Sequence, residues 1–336
     1  MTQVLNNISI IGCGAWGTAL ADVLAKAGRK VTLYARDWKL AESINSTHEN
    51  TFYLPGETLA KEIRATADMA EAVAKAELVL LVTPAQYLRD TLKRFAAHLP
   101  KGVPLLNCAK GIEMTTGYLL SEVANDVVPD HPYATLSGPS FAVEAVRGLP
   151  TAVTLATEAG EAEGQLWAAS VRGKAFRPYL SPDPIGVEIA GALKNVIAIA
   201  CGIVEGKRLG QNAKAAVMTR GLAEVKRLGV SRGAKPETFL GLAGVGDMTL
   251  TCSSMTSRNF SLGFELGEGK TLDEILKSRR SVAEGVTTAW AIADYAEQHN
   301  VDMPICMGVQ AILRNKADVG EVVHGLLSRN LRHESD

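Results

Sequence analysis

A glycine-rich segment near the start of the sequence has the spacing of a loop that binds a dinucleotide. Gly12, Gly14 and Gly17 form the pattern G-x-G-x-x-G, which follows an apolar run at residues 8–11 and opens a helical pattern. The first glycine permits a tight turn, the second lets a pyrophosphate approach the backbone, and the third allows close packing of helix against strand. The helix N-terminus then offers N–H groups and partial positive charge to the phosphates. The segment predicts dinucleotide binding, and the alternative is a tight βα turn in an unrelated fold.

The end of the second predicted strand, at residues 30–34, bears on the choice of coenzyme. It is followed by Arg36 and Asp37. An acidic residue at this place would hold the ribose 2′-hydroxyl of NAD, whereas an arginine suits the 2′-phosphate of NADP. Because Arg36 comes first, the sequence favours NADP(H), with NAD(H) also accepted. The alternative for Arg36 is a solvated charge in an exposed loop.

Two lysines lie in segments where a cation could take part in chemistry. Lys194 occurs in an apolar helical pattern beside the small residues Ala190, Gly191 and Ala198. Its ammonium is therefore either buried and functional or extended to solvent. Burial would favour the neutral amine, which suits proton exchange near neutral pH. Lys110 follows a predicted strand, at the edge where doubly wound sheets bind ligands. It could orient a substrate and polarise a carbonyl, or be an ordinary surface lysine.

A carboxylate and an arginine could complete such a site. Asp247 ends a glycine-flanked loop and could pair with the lysines or only cap the next turn, while Thr251 could add a hydroxyl to the same site. Ser257 is a plausible N-cap of the following helix. Arg258 beside it could bind a phosphate in a bidentate way at the helix N-terminus, or be a surface charge.

The elements that must position these residues change in kind along the chain. In the first half, short apolar runs alternate with helical patterns, which indicates a parallel sheet with both faces covered. The predicted strands are residues 8–11, 30–34, 78–82, 104–107, 134–136 and 152–155, and the first predicted helix is 18–27. Beyond the segment SPDP at 181–184, helices are predicted at 185–202, 212–228, 257–266, 272–278, 287–298 and 309–316. The sequence therefore predicts an α/β domain at residues 1–183 and an all-helical domain at 184–336.

The composition excludes several classes of protein. The chain has 336 residues, of which 47% are hydrophobic, and its net charge is −1, so disordered and fibrous classes are excluded and nothing favours a nucleic-acid or membrane-surface partner. The apolar runs are too short to cross a bilayer, and no signal peptide is expected. The five scattered cysteines lack the spacing of metal ligands. We therefore expect reduced thiols, no metal site and a cytoplasmic protein.

Several segments, taken in order, resemble the NAD(P)-dependent glycerol-3-phosphate dehydrogenases of the bacterial type. They are YLPG at 53–56, NCAKGIE at 107–113, LSGPSFA at 136–142, EIAGALKNV at 188–196, LAGVGDM at 242–248 and SRN at 257–259. The resemblance implies a Rossmann-type domain followed by a helical domain like the C-terminal one of 6-phosphogluconate dehydrogenase. It also implies reversible hydride transfer between NAD(P)H and dihydroxyacetone phosphate, giving sn-glycerol 3-phosphate for glycerophospholipid synthesis.

The resemblance assigns roles to individual residues. Lys194 is expected to be the catalytic residue, a general acid in reduction and a base in oxidation. The expected substrate contacts are Lys110, Gly138, Ser140, Lys194, Asn195, Asp247, Thr251, Ser257, Arg258 and Asn259. The expected cofactor contacts are Gly12, Gly14, Ala15, Trp16, Gly17, Arg36, Tyr53, Lys110, Ala142, Arg258, Val282 and Glu284.

Two other functions fit part of the pattern. One is a related two-domain dehydrogenase that acts on a hydroxy acid or a ketopantoate-like substrate. The other is a protein that senses NADP(H) without turnover, in which Lys194 would have no catalytic role. For the main interpretation we expect a phosphorylated small molecule as the substrate and a homodimer as the assembly.

Overall fold

The computed structural model describes residues 4–279, 283–330 and 333. They form two compact units, of which the first contains the residues up to Ala109 and Leu120–Pro184, and the second contains Lys110–Leu119 and the residues from Ile185 onward. The segment Lys110–Leu119, which the sequence analysis placed in the first domain, therefore belongs with the helical unit.

The first unit contains an eight-stranded sheet in the order β3-β2-β1-β4-β5-β6-β7-β8. Its strands are β1 (Asn7–Ile11), β2 (Lys30–Tyr34), β3 (Arg64–Thr66), β4 (Leu78–Leu81), β5 (Leu105–Asn107), β6 (Tyr133–Ser137), β7 (Thr151–Thr157) and β8 (Phe176–Ser181). In the register, Ile10 of β1 lies between Leu33 of β2 and Leu80 of β4. The order reverses direction at β1, which is the doubly wound arrangement of dinucleotide-binding domains.

The sheet is mixed, although the sequence predicted an entirely parallel one. Strands β6 and β7 pair antiparallel, with Leu136 opposite Leu155, while the other neighbouring pairs are parallel. The connection between β6 and β7 contains only the short helix Ala142–Val146. A parallel pair needs a longer crossover, usually built around a full helix, so here the chain turns back directly.

Helices cover both faces of this sheet. They are α1 (Ala15–Lys26), α2 (Trp38–Thr47), α3 (Met69–Val73), α4 (Leu88–Phe95), α5 (Leu120–Val127), α6 (Ala142–Val146) and α7 (Glu161–Val171). Successive side chains of a strand point to opposite faces, so Leu78 and Leu80 of β4 join one apolar cluster while Val79 and Leu81 join the other. This explains why the central strands read as unbroken apolar runs.

The second unit is helical. Its helices are α8 (Pro184–Gly206), α9 (Gln211–Ser231), α10 (Asp247–Cys252), α11 (Arg258–Gly267), α12 (Leu272–Ser278), α13 (Glu284–His299), α14 (Pro304–Asn315) and α15 (Val319–Leu327). A 3₁₀ turn at Pro236–Leu240 and a π-helical turn at Leu242–Gly246 precede α10.

Helix α8 is the centre of the second unit. It is long and apolar enough to cross a membrane by length and composition, which the sequence analysis did not expect, but its apolar window is 100% buried inside the protein. Side chains along its length, from Ile189 to Ile203, belong to one apolar cluster with residues of α9, α11, α13 and α14. It is therefore a core helix, and its apolar length reflects neighbours on every side.

Glycines bring α8 and α11 into backbone contact, and we call this contact the glycine seam. It consists of Gly202 and Gly206 on α8 and Gly263 and Gly267 on α11. A Cβ on Gly202 would lie 2.1 Å from the carbonyl oxygen of Phe260, and a Cβ on Gly263 would lie 2.0 Å from that of Ile199. No larger residue fits at these points without separating the helices, so the seam fixes where α11 begins relative to α8.

Candidate active site

The glycine loop between β1 and α1 has the shape that a pyrophosphate requires. Gly12 has φ +121°, and a Cβ there would lie 2.8 Å from the carbonyl carbon and oxygen of Val82. A Cβ on Gly17 would lie 1.9 Å from the oxygen of Gly12, whereas one on Gly14 would meet nothing within 4 Å. Gly14 is also the N-cap of α1 and supplies no side-chain cap. The open space at Gly14 and the uncapped helix start, which continues into Ala15 and Trp16, fit a bound phosphate group.

Two charged residues, Arg36 and Asp37, follow β2. Asp37 is the N-cap of α2, and its carboxylate accepts a hydrogen bond of 2.9 Å from the N–H of Lys39. Arg36 is exposed. Asp37 therefore has a structural role as the cap of α2, and Arg36 remains the predicted contact of a 2′-phosphate.

Other predicted contacts in the first unit lie in turns and at the ends of strands and helices. Gly138, after β6, has φ +149° and could not carry a Cβ, which would lie 2.9 Å from Cα of Val153. Ser140 donates to the carbonyl oxygen of Gly138 at 2.9 Å. Ala142 begins α6, and the exposed Tyr53 ring packs edge-on against Phe52 with 4.6 Å between ring centroids. These four residues remain predicted ligand contacts.

In the second unit, Asp247 joins the two lysines that the sequence singled out. Its Oδ2 accepts a bond of 2.7 Å from Nζ of Lys110, and its Oδ1 forms an ion pair with Nζ of Lys194. Lys194 also donates to Oγ1 of Thr251 at 2.8 Å, and Thr251 donates to Oδ1 of Asp247 at 3.2 Å. Only 1% of Asp247 and 6% of Lys194 are exposed. We call these four residues the lysine cluster.

Three separate segments build the lysine cluster. Lys194 comes from the middle of α8, and Lys110 begins the segment Lys110–Leu119. Asp247 is the first residue of α10 and follows the π-helical turn directly, so it is not the cap that the alternative interpretation required. Within that turn a Cβ on Gly244 would lie 2.1 Å from the oxygen of Phe239. The widened turn and its close packing aim the carboxylate at the lysines.

Burial and charge set the protonation of the lysine cluster. Burial lowers the pKa of Lys194 from 10.5 to about 8; the charge of Lys110 acts in the same direction, and that of Asp247 opposes both. Burial alone would raise the pKa of Asp247, but Lys110 and Lys194 outweigh it and hold that pKa below its ordinary value. At neutral pH the cluster therefore carries two cations and one anion, and its net positive charge suits an anionic ligand.

Two asparagines next to the lysine cluster bind three helices together. Nδ2 of Asn259 on α11 donates to Oδ1 of Asn195 on α8 at 2.9 Å, and the N–H of Gly285 on α13 donates to Oδ1 of Asn259 at 3.0 Å. A Cβ on Gly285 would lie 2.7 Å from the carbonyl oxygen of Asn195. Asn259 is thus part of the frame that holds Asn195 beside Lys194.

Charged groups lie at the starts of α11 and α13. Ser257 caps α11 and accepts a bond of 3.3 Å from the N–H of Phe260, as its position predicted. Arg258 is the exposed first residue of α11. Burial raises the pKa of Glu284, the first residue of α13, against the positive charges of Arg258, Lys110 and Lys194. Val282, also predicted to contact the cofactor, lies outside the described residues.

Comparison with known proteins identifies the family. Family models described as the N-terminus and C-terminus of NAD-dependent glycerol-3-phosphate dehydrogenase match residues 7–163 and 183–324. The chain belongs to the NAD-dependent glycerol-3-phosphate dehydrogenase family. It is 51% identical over 335 residues to the glycerol-3-phosphate dehydrogenase (NAD(P)+) of Parvibaculum lavamentivorans, with 100% of each chain covered. It is 53% identical to the corresponding enzyme of Rhodospirillum rubrum, with 99% of this chain and 95% of the relative covered.

Solved structures agree with this assignment. A glycerol-3-phosphate dehydrogenase from Coxiella burnetii superposes with a TM-score of 0.92 at 36% identity, covering 96% of this chain and 99% of that chain. A ketopantoate reductase from Ralstonia eutropha superposes with a TM-score of 0.61 at 16% identity, which shows a shared fold alone. Members of the NAD-dependent glycerol-3-phosphate dehydrogenase family are oxidoreductases that use NAD(P), so the resemblance found in the sequence is confirmed over the ketopantoate-like and sensing alternatives.

The geometry adds one residue that sequence reasoning missed. Asn50 is 0% exposed, and its side chain bonds to the glycine loop of this NAD(P)-dependent dehydrogenase. Its only signal in the sequence is its position three residues before Tyr53 in the segment YLPG. No group of three His, Cys, Asp or Glu side chains among the described residues could hold a metal ion.

Proposed function

We propose that this chain catalyses reversible hydride transfer between NAD(P)H and dihydroxyacetone phosphate, giving sn-glycerol 3-phosphate, with Lys194 as the proton carrier. The observation that carries the proposal is the lysine cluster. A buried amine with a pKa of about 8 is held by a carboxylate and a hydroxyl in a member of a dehydrogenase family. Such an amine exchanges a proton readily near neutral pH.

Residues of the glycine loop would hold the coenzyme. The bound nicotinamide supplies a hydride in reduction and accepts one in oxidation. The open backbone at Gly14 and the start of α1 would take the pyrophosphate, and Arg36 would take the 2′-phosphate of NADP(H). The same loop accommodates NAD(H), which lacks that phosphate, so both coenzymes are expected to bind.

Lys194 would move the proton. In reduction its ammonium donates a proton to the oxygen of the former carbonyl, and in oxidation its neutral amine accepts the hydroxyl proton. An ammonium has three N–H groups, so Lys194 can hold both Asp247 and Thr251 and still present one to the substrate oxygen. Lys110 would stabilise negative charge on that oxygen, because Asp247 holds its ammonium beside Lys194.

The substrate phosphate would bind at the start of α11. Arg258 and the helix N-terminus offer positive charge there, and a guanidinium binds phosphate in a bidentate way. Asn195, whose Oδ1 accepts a bond from Asn259, would direct its side-chain N–H groups to the substrate. Gly138 and Ser140 are proposed as further substrate contacts, and Tyr53, Ala142, Val282 and Glu284 as further cofactor contacts.

We also propose the roles of the two domains, the cellular compartment and the assembly. We assign dinucleotide binding to residues 1–183 and substrate binding to 184–336, with Lys110 contributing to the substrate site. The five cysteines are free and buried, which supports a reducing compartment such as the cytoplasm. There the product would supply glycerophospholipid synthesis. A homodimer is proposed, and light scattering coupled to gel filtration tests it.

A steady-state assay with a matched variant tests the reaction. Oxidation of NADPH should depend on dihydroxyacetone phosphate and be far slower with dihydroxyacetone, because the unphosphorylated ketone lacks the group that Arg258 binds. Lys194→Ala should lower kcat by about a thousandfold or more while the Kd of NADPH, measured by fluorescence, stays nearly unchanged. Equal rates with both ketones would contradict the phosphate site, and a variant that keeps most of its kcat would remove Lys194 from proton transfer.

A further inference from the structure

Asn50 lies in the segment between α2 and β3, and its side chain is fully buried. Its Nδ2 donates to the carbonyl oxygen of Cys13 at 2.9 Å and to Oγ1 of Thr18 at 2.8 Å. Its Oδ1 accepts a bond of 3.0 Å from the N–H of Tyr53. One amide group therefore ties three separate points of the first unit together, and its oxygen and both of its amide hydrogens are engaged.

The bond to Cys13 reaches the centre of the glycine loop. Cys13 stands between Gly12 and Gly14, and its carbonyl accepts a second bond of 3.1 Å from Oγ1 of Thr18. In a trans peptide the C=O and the following N–H point in opposite directions. Because Asn50 and Thr18 hold the Cys13 carbonyl in the protein interior, the N–H of Gly14 is turned the other way, and a Cβ on Gly14 itself would meet nothing within 4 Å.

The bond to Tyr53 connects a second segment, which is predicted to contact the coenzyme, to the same point. Phe52 and Tyr53 expose 50% and 43% of their surface, and their rings are packed edge to face. Leu54, next along the chain, is buried, and its N–H donates to the carbonyl oxygen of Asn50 at 2.9 Å. The N–H groups of Tyr53 and Leu54 therefore both bond to Asn50, which fixes the backbone that carries the exposed rings.

We propose that Asn50 is a positioning residue for the coenzyme: it aims the N–H of Gly14 at the pyrophosphate and fixes the Tyr53 segment relative to the glycine loop. The inference rests on the proposed binding of the pyrophosphate at that loop. It predicts that Asn50 acts on the affinity for the coenzyme, and on its phosphate-bearing part in particular, while leaving the proton transfer of Lys194 unaffected.

The test compares Asn50→Ala with Asn45→Ala, a matched control in the same unit. Asn45 is an exposed asparagine whose side chain also makes two bonds, to the oxygen and the N–H of Ala65, at 2.9 and 2.8 Å. Both variants should lower the thermal unfolding midpoint of the ligand-free protein. Only Asn50→Ala should raise the Kd of NADPH, by about tenfold, which is the equivalent of one hydrogen bond. The Kd is measured by fluorescence titration without substrate, so no turnover is needed.

Two further binding measurements, one with a coenzyme fragment and one with a second variant, test the same inference. Adenosine 2′-phosphate lacks the pyrophosphate, so its Kd should be the same for Asn50→Ala and wild type. If Asn50→Ala does not fold, Thr18→Val removes the other donor to the Cys13 carbonyl and should raise the Kd of NADPH by a few fold. An unchanged Kd of NADPH, or an equal rise in Asn45→Ala, would overturn the inference. Absence of NADPH and NADH binding in the wild type would instead overturn the proposed function.

Discussion

Lys194 shows how one side chain acquires a catalytic property from its surroundings. Its neighbours on α8 are apolar, so burial disfavours its charged form, and its polar partners Asp247 and Thr251 both come from α10. The sequence could predict the burial, because small and apolar residues flank Lys194 along the helix. It could not predict the contact with Asp247, which lies 53 residues away along the chain. Only packing of the whole unit brings that carboxylate to the amine.

The pKa of Lys194 predicts opposite pH profiles for the two directions of the reaction. Reduction needs the ammonium, so kcat/KM for dihydroxyacetone phosphate should fall as pH rises through about 8. Oxidation needs the neutral amine, so kcat/KM for glycerol 3-phosphate should rise through the same pH. Steady-state rates from pH 6 to 10 at constant ionic strength check this. Profiles that change in the same sense in both directions would assign the titration to another group.

Arg36 is expected to determine the preference for NADPH over NADH. Arg36→Ala should raise the Kd of NADPH by about ten- to a hundredfold, because it removes a charge-assisted bond to the 2′-phosphate, and should change the Kd of NADH little. Fluorescence titrations with both coenzymes measure the two values, with NADH as the internal control. An equal change in both would show that Arg36 does not contact the 2′-phosphate.

At the scale of elements, glycine positions decide the geometry of the helical unit. The sequence predicted several of these helices from their apolar patterns, since a pattern with a period near 3.6 residues depends on local neighbours. The glycine seam was not predicted: its two pairs have the spacing G-x-x-x-G, but a contact between two backbones leaves no apolar pattern that shows which helices meet. Strands β3 and β8 were not predicted either, because neither is an unbroken apolar run. The former has only three residues, and the latter contains Pro178 and exposed side chains.

The glycine seam predicts the result of adding a single methyl group. In Gly263→Ala the new Cβ would lie 2.0 Å from the oxygen of Ile199, a backbone atom that cannot rotate away. The helices must separate, so the free energy of unfolding should fall by about 3 kcal/mol. Because α11 carries Arg258 and Asn259, kcat should also fall.

Another helical glycine provides the control. A Cβ on Gly325 of α15 would meet nothing within 4 Å, so Gly325→Ala should raise stability by about 0.5–1 kcal/mol and leave kcat unchanged. Urea denaturation and steady-state assays measure both variants. Similar effects of the two substitutions would mean that helix propensity, and not the seam, decides stability here.

At the scale of the whole molecule, the sequence and the structure agree on architecture. The last strand ends at Ser181 and the long apolar helix begins at Pro184, where the sequence pattern changes. The segment Lys110–Leu119 departs from that division and belongs with the helical unit. A boundary inferred from the pattern along the chain is a single point, and it cannot show a short segment that packs with residues far away in sequence.

Global stability should depend on pH through Glu224. This buried carboxylate accepts bonds from the N–H groups of Ile305 and Cys306 at the start of α14, yet burial raises its pKa from 4.5 to about 7. The folded state therefore keeps a proton that the unfolded state loses, and the stability from Glu224 decreases as pH rises from 4.5 to 7. Glu224→Gln should lack this decrease, so its stability relative to wild type should improve across that range.

Urea denaturation at several pH values measures the effect. Glu205→Gln is the control, because a bond from Lys214 lowers the pKa of Glu205, so its contribution increases with pH and then stays constant above its ordinary pKa. A stability difference between Glu224→Gln and wild type that does not change with pH would show that Glu224 titrates near its ordinary value.

The glycine seam also bears on how such an enzyme can diverge. Where two helices are spaced by side chains, each substitution at the contact changes their separation slightly, and a sequence that drifts moves its catalytic groups. Where main chain touches main chain, the separation is set by atoms that every residue shares. Substitutions elsewhere in the helical unit can then accumulate without shifting Arg258 or Asn259 relative to Lys194. The positions that cannot change are the four glycines of the seam.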